Sequence, residues 1–126
     1  MTTMPTQRPS VSAGGVTPTF TQCTASDKFS VPTASGSYLL YYKNAATPTA
    51  TLWVLSTAQP TPIGSTPAVP TGATNWEDVQ ISAALGASTE RAYFIDDVSP
   101  YVDATNFVNL KHNTPTTLTM CVLGPF

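Results

Sequence analysis

Twelve prolines and seven glycines are scattered through the 126 residues, about 15% of the chain, which leaves no room for a long helix. Their spacing is aperiodic, so a collagen-like repeat is excluded as well. Between the breakers lie short runs rich in β-branched and aromatic residues: 16–21, 28–31, 38–43 (YLLYYK), 49–56 (TATLWVLS), 76–82 (WEDVQIS), 91–95 (RAYFI), 107–112 (FVNLKH) and 117–123 (TLTMCVL). Gly, Asn and Pro mark turns at 34–37, 44–48, 85–88 and 113–115. Strand signals every 8–12 residues or so predict an all-β fold, a single two-sheet β-sandwich, jelly-roll-like, of about eight strands. The one helical signal is a single turn within 98–104, where Pro100 and Asp103 sit.

Alternation sets the faces. Leu52, Val54 and Ser56 fall on one side of their strand and Trp53 and Leu55 on the other. The YLLYYK and LTMCVL runs are apolar on both sides, as expected of central strands whose outer face is also covered.

Charge narrows the function classes. Only 10% of residues are charged and the net charge is −2, against about a quarter in an ordinary soluble domain. The five cations, Arg8, Lys28, Lys43, Arg91 and Lys111, stand singly, so no basic patch exists to neutralise phosphates and nucleic acid is not an expected partner. No run approaches the roughly 20 apolar residues of a membrane-spanning helix.

Residues that carry chemistry are few, and the reading is of a protein that is not an enzyme and needs no cofactor or metal. No nucleophile elbow, zinc-protease, phosphate-loop or CxxC signature occurs. Adjacent carboxylates on a strand, as in Glu77–Asp78, point to opposite faces and cannot act as an acid–base couple. In a turn Asp96, Asp97 and Asp103 are able to gather a calcium ion, although local Asx-turn bonding is the simpler expectation. His112, the single histidine, reads as a partly exposed side chain at a strand end. Trp53, Trp76 and the tyrosines 38, 41, 42, 93 and 101 read as core or half-buried sheet face before they read as a carbohydrate platform.

The first 15 residues form an extended Thr/Ser/Pro/Gly arm, with the sandwich over 16–126. The arm's start has no apolar h-region, so the expectation is cytoplasmic synthesis and free, buried Cys23 and Cys121. With so few apolar residues the arm is expected to need a neighbouring subunit to order it, through Met1, Met4 and Val11 as apolar anchors and Arg8 as the charged one. The stretch 59–74 (QPTPIGSTPAVPTGAT) reads as an extended proline-rich loop, and Pro60, Pro62, Pro67 and Pro70 are candidate contacts because prolines lose little entropy on docking.

The order of segments carries a resemblance. VTPTFT, DKFSVP, SYLLYYKNA, TATLWVL, DVQISAALGASTERAYFI, SPYV and a closing TLTMCVL together resemble the small β-sandwich proteins of tailed-phage head gene clusters, the head decoration, cement or minor capsid proteins. The matching elements are 38–46, 78–95 with Gly86 and Arg91, 99–102 and 117–123, within a span of 16–123. The resemblance implies a structural virion protein that binds the outer face of the major capsid protein shell and contacts neighbouring copies of itself, located on the virion surface after assembly in the host cytoplasm. A tail or baseplate module and a carbohydrate-binding surface module are the alternatives.

Overall fold

The computed structural model describes residues 2–9, 14–46, 50–56 and 77–126. These described residues form ten strands in chain order: β1 (Thr2–Met4), β2 (Thr6–Gln7), β3 (Thr21–Gln22), β4 (Ser26–Ser30), β5 (Tyr38–Asn44), β6 (Ala50–Ser56), β7 (Glu77–Leu85), β8 (Thr89–Ile95), β9 (Phe107–Asn113) and β10 (Leu118–Leu123). They make an all-β sandwich of two sheets. The first runs β1-β4-β9-β6-β7 and the second β2-β10-β5-β8, with β3 sharing the β2 side of β10. Every connection except β2–β3 and β6–β7 passes from one sheet to the other, so folding one sheet necessarily assembles its partner. Among the described residues helix is limited to single 3-10 turns at Ser99–Tyr101 and Pro115–Thr117, each with a proline in its first two positions.

Period-two alternation produces the core. Tyr38, Leu40 and Tyr42 of β5, Leu118, Met120 and Val122 of β10, Val108 and Leu110 of β9, and Leu52 and Val54 of β6 point between the sheets and are buried. The expected parity of Leu52 and Val54 therefore holds. The outer face of the second sheet is covered in part: Pro18 and Phe20 lie beside Tyr41, Lys43 and Leu123, Phe20 stacks edge-on against Tyr41 at 5.4 Å, and Lys43 sits 4.0 Å above the Phe20 ring. This segment was expected to be a full strand over 16–21, but only Thr21 and Gln22 pair with β10. Pro18 has no N–H for a ladder. The Gln7 side chain replaces it, donating from Nε2 to the Thr19 carbonyl and accepting from the Thr19 N–H, each at 3.0 Å.

The arm departs most from expectation. Thr2–Met4 adds to the first sheet in parallel beside β4, Pro5 turns the chain, and Thr6–Gln7 adds to the second sheet in parallel beside β10. Met4, taken from the sequence as an anchor for a partner, is 2% exposed in the chain's own core. A count of apolar residues misses this arrangement, because ladder hydrogen bonds to two sheets offset the ordering entropy that side chains alone do not. Gly124 closes the C-terminal end at φ +141°, where a Cβ would lie 2.8 Å from the Ser37 carbonyl oxygen, so no other residue fits there without strain.

Candidate functional site

Strand parity puts two chemistry-bearing residues on the inner face of the first sheet, and the β3–β4 connection brings a third beside them. In β4 (SDKFS) Asp27 shares the inward side with Phe29, and in β9 (FVNLKHN) His112 continues the inward series Val108, Leu110. Cys23 lies just after β3, its N–H bonded to the Leu118 carbonyl. Asp27 is 0% and His112 3% exposed, so the expected partly exposed histidine is instead a core residue. The ligand-capable atoms of Cys23, Asp27 and His112 all lie within 4.8 Å of one another.

His112 Nδ1 faces two acceptors, Asp27 Oδ2 at 3.0 Å and the Thr24 carbonyl at 3.0 Å, which assigns its proton to that nitrogen. Nε2 then accepts from the Tyr42 hydroxyl at 2.9 Å. Asp27 also accepts from the backbone N–H groups of Thr2 (3.0 Å) and Thr24 (2.8 Å) and from the Thr24 hydroxyl. Burial would raise the Asp27 pKa, but the hydrogen bonds from His112 and Thr24 outweigh it and hold the carboxyl below its usual range. Burial and then the Asp27 charge push the Cys23 thiol far up. Burial, followed by the Cys23, Asp27 and Tyr93 charges, does the same to the Tyr42 phenol. A protonated thiol sealed in the core is no nucleophile. The constellation is a satisfied polar network that pins β1, β4, β5 and β9 together.

The surface offers two further features. Phe94 and Phe126, 54% and 57% exposed, pack against each other at 6.0 Å on the outer side of β8, which is the edge strand of the second sheet among the described residues. Edge pairing there is discouraged by Glu90 and Arg91, both exposed. Beside them an open cleft of about 530 Å³ is lined by Val54, Tyr93, Ile95, Asp96, Asp97 and Tyr101 among others.

The acidic residues are used locally. Asp97 accepts from the N–H and hydroxyl of Ser99, and Asp103 from the Thr105 N–H and hydroxyl, the Phe107 N–H and Asn109 Nδ2. Burial pushes Asp103 up, but bonds from Asn109, Thr105 and Phe107 win and its pKa falls below the usual value. Its stabilising contribution is therefore fully present above about pH 4 and is lost as the pH drops through the lower folded value. Asp103→Ala is expected to cost about 1–3 kcal/mol at pH 7 through the orphaned donors and to flatten the acid limb of a urea-stability profile. An unaltered acid limb would contradict that role.

Of the contacts expected from sequence, Arg8 is exposed and Met4 buried, while Met1, Val11, Pro60, Pro62, Pro67, Pro70 and Trp76 lie outside the described residues. Only the backbone of Trp53 is described. Tyr38 and Tyr42 belong to the core, with Tyr93 and Tyr101 packed against it. Both cysteines are free and buried. The sequence signal that finds the polar cluster is parity: Asp27 two residues before Phe29, and His112 two after Leu110. No family model, no curated protein and no solved structure matches the chain.

Proposed function

We propose that the chain is a structural, non-enzymatic virion subunit: a head decoration protein that attaches to the outer face of the major capsid protein shell of a tailed bacteriophage and stiffens it. The exposed Phe94–Phe126 pair on the outer side of β8 carries this reading. Two adjacent aromatic rings, each more than half exposed on a weakly charged surface, are hot-spot material for a protein partner. The segment order quoted above supplies the partner class. Among the described residues, the one Cys/Asp/His grouping is sealed from solvent, which favours binding over catalysis. Modest attachment repeated over many copies makes a large total constraint on a shell under internal pressure.

Purified protein added to shells that lack it is expected to bind in fixed ratio to the major capsid protein. Phe94→Ser with Phe126→Ser should weaken that binding at least tenfold while leaving thermal melting close to wild type, because both rings are already largely in water. Binding unaffected by the double change would overturn the assignment of this surface, and binding to tails alone would move the protein to the tail or baseplate reading.

The cleft beside Tyr93, Tyr101, Asp96 and Asp97 favours a second reading, a carbohydrate-binding surface module, since aromatic faces next to carboxylates suit sugar rings and hydroxyls. Glycan-array binding lost on Tyr101→Ala would support it.

A further inference from the structure

We propose that Cys23 Sγ, Asp27 Oδ2 and His112 Nδ1, completed by the Thr24 carbonyl oxygen, form a binding site for one divalent transition-metal ion of the zinc type. The three side chains come from separate parts of the sequence, the β3–β4 connection, β4 and β9, and converge within 4.8 Å. A tetrahedral ion with bonds of about 2.0–2.3 Å sets its donors about 3.3–3.8 Å apart. Nδ1 and Oδ2, at 3.0 Å, need to open by about 0.3–0.8 Å to meet that geometry, and a pair at the 4.8 Å outer bound needs to close by about 1 Å. The Thr24 carbonyl, also 3.0 Å from Nδ1, reaches the place of a fourth donor with the same small opening.

The surroundings suit an ion as well as the ligands do. Asp27 keeps the Thr2 N–H, the Thr24 N–H and the Thr24 hydroxyl when Oδ2 exchanges the imidazole proton for the metal. The His112 proton moves from Nδ1 to Nε2, and the Tyr42 oxygen 2.9 Å away changes from donor to acceptor. Outer hydrogen bonds of this kind fix the orientation and tautomer of metal ligands. The thiol proton leaves to solvent, so each ion taken up releases one proton. Thiolate and carboxylate together cancel the 2+ charge, which is what a core position requires. One soft sulfur, one imidazole and two oxygens select zinc or cobalt over calcium or magnesium.

The test uses the full untagged chain, equilibrated with Zn2+ or Co2+ alone and freed of unbound metal by gel filtration. About one ion per chain is expected, and the Co2+ form should show the intense visible d–d bands of a tetrahedral site and a thiolate-to-cobalt charge-transfer band. Cys121→Ser should retain the ion. Cys23→Ser and His112→Gln should each hold less than a tenth of it. Less than 0.1 ion per wild-type chain, or a cobalt spectrum without the thiolate band, would overturn the proposal. Retention of the ion by Cys23→Ser would do so equally. The cobalt reading needs no variant, so it decides the matter even where a substitution disturbs folding.

Discussion

A chain lacking residues 1–9 is expected to lose cooperative folding, not merely a tether. Four contributions disappear together. Met4 leaves a cavity in the core, worth about 2–5 kcal/mol on its own. The Thr2 N–H no longer reaches the Asp27 carboxylate. The outer sides of β4 and of the C-terminal half of β10 become unpaired edges. Gln7 also goes, and with it the paired hydrogen bonds that hold Thr19 in place. Against a total stability of about 5–15 kcal/mol this sum is decisive. Urea titration followed by near-ultraviolet circular dichroism checks it, with Met4→Ala as the graded intermediate. A truncated chain that unfolds at the wild-type midpoint would show that the arm is dispensable to the sandwich.

Asp27→Asn, measured in chelator-treated protein, should be the most damaging single isosteric change, costing about 1–3 kcal/mol for each orphaned donor. The amide nitrogen that replaces one carboxylate oxygen must face donors: Thr2 N–H and the Thr24 hydroxyl on one side, Thr24 N–H and His112 Nδ1 on the other. Whichever way it turns, at least one buried donor loses its acceptor, and the charge that strengthened the others is gone. Equilibrium denaturation gives the number. A loss under 1 kcal/mol would mean that the network is spectator to the fold.

Both expectations rest on features of unequal legibility in the sequence. The central strands were readable because their hydrophobic period is 2 and their breakers are strong, as in YLLYYK between Gly36 and Pro48. The arm was not, because β1 and β2 are only three and two residues long and are recruited by partners more than twenty residues away in one case and more than a hundred in the other. Propensity cannot register such pairing. The cluster was half legible. His112 shares parity with Leu110, yet its Lys111 and Asn113 neighbours suggested a strand end in solvent, and the strand was read from Lys28 onward, which left Asp27 outside it. What neither position discloses alone is that β4 and β9 are neighbours, with Asp27 opposite Leu110.

The parallel pairing of Thr6 with Val122 bears on the order of events during folding. A contact of that sequence separation forms only after a long loop closes, and its entropic cost is met before any of its reward. The second sheet is sealed at β10, whose flanks take β5 on one side and both β2 and β3 on the other. Until β10 is in place, β5 has only β8 as a ladder partner and the inner faces of Tyr38, Leu40 and Tyr42 have no sheet neighbour on that side. The topology is thus that of a slow folder, on the millisecond-to-second scale of β-sandwiches, whose intermediates expose strand edges to one another whenever the chain is concentrated.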